Sequence, residues 1–283
     1  MGKEKRKTSL SFCIFEVIMF TRFQLAKKYL RYYLTASSRK GHGIHSPFVF
    51  DFIKNVLRDR KEYPYYPIIE KGRQQLLKQK GQIEVEDFGA GSSVIKKNKR
   101  GVADIARSSL KPAKYAQLLF RIVNYYQPET ILELGTSFGI TTSYLAAGNA
   151  NATVYTIEGS PAIAAIASKT FNRAGLENIE LTEGNFNNEL PVLLNKLNTI
   201  DLAFIDGHHL KDPTLDYFEQ LLNHSTHSTI LIFDDIHWST EMEAAWAVIK
   251  QHPAVTLSID LFFIGIVFFN PDFNYKQQFT IRF

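Results

Sequence analysis

Residues Thr130 to Ala147, TILELGTSFGITTSYLAA, constrain the fold of this chain more than any other stretch. An apolar run with Ile131, Leu132 and Leu134 ends at Gly135 and turns through Thr136, Ser137, Phe138 and Gly139. A helical pattern follows, carrying Ile140, Tyr144 and Leu145. A buried parallel strand that feeds a glycine turn and then a helix aims main-chain N–H groups at a ligand beside the turn. Glu133 lies within the strand, where a charge needs a cationic or hydrogen-bonding partner. The spacing E-x-G-x-x-x-G differs from the G-x-G-x-x-G of dinucleotide sites and lacks the lysine of a phosphate-binding loop.

Downstream, apolar runs and helical patterns alternate with short connections, which predicts a doubly wound α/β sheet. The expected strands are Thr130–Gly135, Thr153–Glu158, Ile179–Thr182, Leu202–Asp206 and Thr229–Asp234, with helices such as Pro161–Arg173 and Pro213–Leu222 between them. Val255–Leu261 and Ile264–Phe269 stand too close for a crossover helix, so the chain should close with an antiparallel hairpin.

The segment ELGTSFG resembles the first motif of class I S-adenosylmethionine-dependent methyltransferases, whose fold is Rossmann-like. That resemblance implies a cofactor turn built from Glu133, Gly135, Thr136, Ser137 and Gly139. Glu158 ends the second strand 19 residues after Gly139, where an acid can accept both hydroxyls of a ribose. TEGNF at the end of the third strand resembles the segment that cradles adenine. Asn185 offers a donor and an acceptor to a base edge there, and Phe186 an apolar face.

The fourth strand ends in AFIDGHH and the fifth in ILIFDDIHW, which brings Asp206, Asp234 and Asp235 to the ligand-binding side of the sheet. Three carboxylates in one cleft repel unless a cation or a proton intervenes. Their oxygens suit Mg²⁺, Ca²⁺ or Mn²⁺. The arrangement resembles metal-dependent catechol-type O-methyltransferases, which place one Asp after the fourth strand and an Asp-Asn pair after the fifth; Trp238 follows at a spacing also found there. Asp235 departs from the pattern by standing where Asn is usual, and His209 by replacing the lysine that serves as base. The D-G-x-H of Asp206, Gly207 and His209 is closer to a neighbouring group of small-molecule methyltransferases. Among the candidate bases His209 ranks first and His237 second, with Lys211 two residues beyond the expected position and His208 beside them. The resemblance implies methyl transfer from S-adenosyl-L-methionine to a hydroxyl oxygen of a small molecule, with a hard divalent cation at Asp206, Asp234 and Asp235.

Charge is uneven. Residues 1–61 carry a net +10 and the remainder −5, for +5 overall. A basic arm keeps a nucleic-acid methyltransferase in view as an alternative, with Lys96 to Arg100 as further phosphate contacts. IDGHH stands where the N/D-P-P-Y/F of base amino-group methylation would, which argues against it. A non-enzymatic cofactor-binding module, recruited to a membrane through Phe12 to Leu34, is a second alternative. The single cysteine, Cys13, excludes an intramolecular disulfide, a cysteine-based zinc cluster and a covalent cysteine mechanism in the core.

The domain boundary expected from these patterns falls at 110/111, with a basic, mainly helical accessory segment before it and the cofactor-binding domain after it. Residues 1–20 make a poor secretion signal, broken by Glu16 and without a small-residue cleavage site, and Met19 offers an alternative start. The apolar run is too short to span a bilayer, and a cytoplasmic location is the expectation. A homodimer is left open. Phe23 to Leu34 reads as a basic amphipathic helix, and Ser46 with Pro47 as the cap and first position of the next. His42 and His45, around Gly43, fit a loop contact better than a metal pair. GHGIHSPFVF resembles the opening of a group of uncharacterised bacterial methyltransferase-like proteins. Glu86 to Ser92, EDFGAGS, imitates the glycine turn, but the polar KKNKRG that follows assigns Gly89 and Gly91 to a loop, one that can lie over the site.

Overall fold

The computed structural model describes residues 19–37, 45–87, 96–273 and 275–283 of the 283-residue chain. The expectations for residues 1–18 with Cys13, for His42 and for the Gly89–Gly91 loop concern residues outside that set.

Among the described residues, the elements before Lys78 are helical. Helix α1 (Arg22–Thr35) starts from a capping box in which Thr21 and Gln24 bond reciprocally. Helix α2 (Pro47–Phe52) has Ser46 at the cap position and Pro47 at its first turn, but the Ser46 side chain caps nothing. It runs into a π-helical turn, Ile53–Leu57, and helix α3 (Tyr65–Lys78) follows. Next comes a hairpin that the sequence reading missed. Strands β1 (Gln82–Asp87) and β2 (Lys96–Gly101) pair antiparallel on either side of the glycine decoy. KKNKRG is therefore a strand, and its partner supplies the alternation its own residues lack. Ile83 and Val85 face the apolar cluster of Ile69, Leu76, Val102 and Ile105. Helix α4 (Val102–Ser109), also unforeseen, then delivers the chain to Lys111 and helix α5 (Ala113–Tyr126).

From there the alternation matches expectation within a few residues: β3 (Thr130–Leu134), α6 (Ile140–Gly148), β4 (Thr153–Glu158), α7 (Pro161–Ala174), β5 (Ile179–Glu183), α8 (Phe186–Lys196), β6 (Ile200–Ile205), α9 (Lys211–Leu222), β7 (Ser225–Asp234) and α10 (Thr240–Gln251). Strands β8 (Leu257–Asp260) and β9 (Ile264–Phe268) form the antiparallel hairpin, and β9 also runs antiparallel to β7. A short eighth strand, β10 (Gln277–Thr280), adds parallel to β8; QQFT is too short and polar to announce itself. The sheet order is β10-β8-β9-β7-β6-β3-β4-β5.

Side chains alternate across this sheet. Ile131, Phe204 and Ile232 face the layer containing α2, α5 and α6, and Leu132, Leu134, Ile205 and Phe233 face that of α8, α9 and α10. Val49, Phe52, Ile53, Val56 and Leu57, from before the expected boundary at 110/111, belong to the first of these cores. Helix α1 lies at the sheet's far edge, where Lys28 pairs with Glu243 at 2.9 Å and Tyr32 donates to the Ile281 carbonyl. No helix of the described residues is long and apolar enough to cross a membrane. The topology places its reversal between β3 and β6. The chain leaves β3 toward β4 and β5 on one side, and returns to β6 and β7 on the other. Ligands of open α/β sheets bind at that reversal, beyond the carboxyl ends of the strands.

Candidate active site

At this switch point Gly135 has φ 103°, and the main-chain N–H of Asp206 donates to the Leu134 carbonyl at 2.9 Å. The two strand ends approach so closely that a Cβ on Gly135 would collide with the Asp206 carbonyl oxygen. The N–H groups of Gly135 and Thr136 reach back to the Ile157 carbonyl at 3.2 and 3.3 Å, which docks the turn on β4. Glu158, at the end of β4, is gripped by the same turn. Its Oε2 accepts from the Ser137 N–H at 2.9 Å and its Oε1 from the Ser160 N–H at 3.0 Å. Burial raises the Glu158 carboxyl above its ordinary value, against the pull of those N–H groups.

The cleft outside these strand ends has a volume of about 470 Å³, within the range of small-molecule sites. Of the expected cofactor residues, Gly135, Ser137, Glu158, Phe186 and Asp206 line it. Glu133 and Thr136 do not. Glu133 is fully enclosed beneath the turn, where its Oε2 accepts from the Thr142 and Thr156 hydroxyls; the Thr136 hydroxyl bonds Thr156 at 2.6 Å. Gly139 and Asn185 sit at the caps of α6 and α8, outside the lining, and the Asn185 side chain accepts from the Asn187 N–H at 2.9 Å. A roomier hollow of about 630 Å³ lies among α3, α6 and α7, and none of the strand-end carboxylates lines it.

Asp206, Asp234 and Asp235 all line the cleft, and so does His209, whose Nε2 stands 3.4 Å from Asp206 Oδ1. The other three candidate bases are placed elsewhere. His237 is held between Glu243 and Asp260, each at 2.9 Å, and stacks on Phe262. Lys211 opens α9, outside the lining, with its N–H 3.3 Å from Glu241 Oε2. His208 faces Tyr217 and Phe186. Trp238 is partly exposed and donates to the Met19 sulfur at 3.3 Å. Ser137, His209 and Asp235 adopt left-handed backbone conformations, with φ of 48°, 40° and 51°. Such conformations cluster where loops must aim side chains into a site.

The residue that sequence reasoning missed is Lys111. Its buried ammonium donates to Asp234 Oδ2 and lies 3.6 Å from Asp206 Oδ2. Burial alone would lower its pKa, but the charges of Asp206, Asp234 and Asp235 hold it above the ordinary lysine value. For Asp206 the desolvation penalty is outweighed by Lys111 and His209, and its carboxyl is held well below the usual range. Asp234 goes the other way, pushed well up by burial and by the neighbouring Asp206 charge, so the two behave as a coupled pair. The need for a counter-ion among three acids was the available signal, but nothing in KPAK at the start of α5 tied this lysine to strand ends about 95 and 123 residues away. Ligand atoms of Asp206, His209 and Asp234 do lie within 4.8 Å of one another, a spacing that would suit a hard cation. An ion bridging Asp206 and Asp234 would have to share that space with the ammonium. The residues present therefore do not fit a bridging metal while Lys111 stays in place.

Comparison with known proteins agrees with this geometry. Residues 132–236 match the family model of a methyltransferase domain. The chain is 34% identical over 126 residues to a catechol O-methyltransferase from Niastella koreensis, covering 44% of this chain and 55% of that protein. It thus spans about half the length of that curated relative. Among solved structures, an O-methyltransferase from Bacillus cereus in complex with SAH superposes with a TM-score of 0.53 at 22% identity, covering 78% of this chain and 97% of that one. An SAH-bound methyltransferase from Podospora anserina gives 0.54 at 13% identity, covering 90% and 99%. Fold and sequence match point the same way: residues 132–236 are similar to a methyltransferase domain, and the sheet that carries them has the fold of the solved methyltransferases.

Proposed function

We propose that the protein is an S-adenosylmethionine-dependent methyltransferase that acts on a hydroxyl oxygen of a small molecule, with residues 111–283 as the catalytic domain and 1–110 as the segment that covers it. The observation that carries this reading is the Glu158 carboxylate at the end of β4, which accepts from the Ser137 N–H of the glycine turn and from the Ser160 N–H beside the topological switch point. A ribose bound beside the turn would present its hydroxyls to Glu158, with Phe186 against the base and Asp206 beneath the methionine end. The likeness to a catechol O-methyltransferase supports oxygen as the acceptor atom. Positioning is the main task in such a displacement, because the acceptor oxygen, the methyl carbon and the sulfur must lie in line. The acceptor proton would pass to His209, on the same cleft wall. A divalent metal at Asp206, Asp234 and Asp235, expected from the sequence, would compete with the Lys111 ammonium for the same oxygens, and no step depends on it.

Titration calorimetry with S-adenosylhomocysteine, on the wild type and on Glu158→Ala, tests the reading. Binding by the wild type, weakened at least tenfold by the substitution, is the expected result. No heat from the wild type under any condition would refute it.

A further inference from the structure

Resting on the methyltransferase reading, we propose that the Lys111 ammonium is the fixed cation of the acceptor site, standing where a divalent metal would otherwise bridge Asp206 and Asp234 and holding the acceptor oxygen itself. Three observations converge on it. The first is occupancy. Nζ donates to Asp234 and lies 3.6 Å from Asp206 Oδ2, so the space between the two carboxylates is already filled by a positive charge.

The second is rigidity. A lysine on a loose surface loop would be a poor substitute for a metal. Lys111 instead sits in the joint between α4 and α5, followed by Pro112, and its side chain is only 8% exposed. Its main-chain carbonyl accepts a hydrogen bond from Arg73, which is itself buried and paired with Glu70 at 2.9 Å. Arg73 is thus a positioning residue for the cation, and α3 of the accessory segment becomes part of the site's construction.

The third is an unmet hydrogen bond. Asp234 Oδ1 is buried and has no partner among the described residues. A hydroxyl that donates to Asp234 Oδ1 and accepts from Lys111 Nζ would satisfy both groups at once. An ether or a thioether has no proton to give and would leave the buried Oδ1 unsatisfied, which costs free energy. In the transfer itself, the oxygen–carbon bond forms as the carbon–sulfur bond breaks. The acceptor proton passes by way of the Asp234 carboxyl to His209, S-adenosylhomocysteine departs, and Lys111 keeps its own protons throughout. An ammonium needs no exchange with free metal, so the site would work in the presence of a chelator.

The test measures Mn²⁺, as a probe for hard divalent cations, by electron paramagnetic resonance on the full chain. The wild type should bind no Mn²⁺ that depends on Asp206. Lys111→Met, which removes the charge but keeps the apolar stem, should gain at least tenfold in Mn²⁺ affinity, and Asp206→Asn in that background should abolish the gain. Lys111→Arg should behave as the wild type toward Mn²⁺. Methyl transfer to a catechol probe should survive EDTA in the wild type and fall at least 100-fold in Lys111→Met. Wild-type Mn²⁺ binding that Asp206→Asn abolishes would overturn the proposal, as would a folded Lys111→Met with no gain. Should Lys111→Met fail to fold, the wild-type Mn²⁺ titration decides alone. The calorimetric titration with S-adenosylhomocysteine separates the two claims. Its failure sinks the methyltransferase reading, whereas the Mn²⁺ result reports only on which cation holds the acids.

Discussion

The Arg73 guanidinium, on α3, donates to the main-chain carbonyl of Lys111, 38 residues further on in the cleft wall. The same guanidinium pairs with Glu70, whose Oε1 also accepts from the Tyr144 hydroxyl at 2.8 Å on the far side of the glycine turn. One buried arginine therefore ties α3, the Lys111 joint and α6 together. Arg73→Met should destabilise the fold by about 2–4 kcal/mol, because it leaves a buried carbonyl unpaired and takes away the cation paired with Glu70. Urea denaturation monitored by circular dichroism measures this. Arg73→Lys should recover only part of the loss, since one ammonium cannot serve Glu70 and the carbonyl in the geometry of the guanidinium fork.

Gly135 should tolerate no side chain. Its φ of 103° alone would cost a substituted residue about 1–3 kcal/mol, and an alanine Cβ would also strike the Asp206 carbonyl oxygen. The turn would have to back away from β6 and carry the Ser137 N–H off Glu158. Gly135→Ala is expected to lower the melting temperature and to abolish calorimetric binding of S-adenosylhomocysteine. Unchanged binding would mean that the turn is not part of the cofactor site.

These two residues show how unevenly the structure was written in the sequence. Gly135 was legible because strand, turn and helix are contiguous there and each leaves a local periodicity. Asp206, Asp234 and Asp235 were legible because strand ends in a parallel sheet all open onto one side. Lys111 and Arg73 were not. Their roles depend on the path of α3 and α4 over the sheet, which no short-range pattern encodes. The β1–β2 hairpin was hidden for a related reason, since the apolar face that holds it comes from α3 and α4 as well as from its own residues. Glu133 misled in the opposite direction. Its place beside the glycine turn suggested ligand contact, whereas the pleat points it inward, to Thr142 and Thr156.

His209 should give the reaction a basic pH profile. Burial favours its neutral form, but the Asp206 hydrogen bond and the charges of Asp206, Asp234 and Asp235 prevail and push the imidazole up to about 9. A base must first be deprotonated, so kcat is expected to climb from pH 7, reach half its plateau near pH 9 and level off only above it. His209→Gln should flatten that rise and lower kcat by about 10²–10⁴-fold. A profile in the variant that still rises through the same range would assign the proton transfer to another group.

Glu133 should leave a pH signature on stability rather than on catalysis. Its carboxyl is fully buried and raised to about 8 by burial, with the Thr142 and Thr156 hydrogen bonds opposing the rise. An unfolded glutamate ionises near the ordinary value of 4.5. Between 4.5 and about 8 the folded protein thus keeps a proton that the unfolded chain has lost, and stability must fall as pH rises through that window. Below 4.5 both states are protonated and above about 8 both are ionised, so the contribution to the slope vanishes on either side. The full loss is on the order of a few kcal/mol. Glu133→Gln replaces the acid with a neutral group of the same shape, whose carbonyl can still accept from the two threonines and whose amide takes the place of Oε1, an atom without a partner among the described residues. The variant should match the wild type near pH 5 and exceed it near pH 8 in urea denaturation. Equal pH slopes for the two proteins would show that Glu133 is ionised in the fold, and that the threonine hydroxyls outweigh the cost of burying its charge.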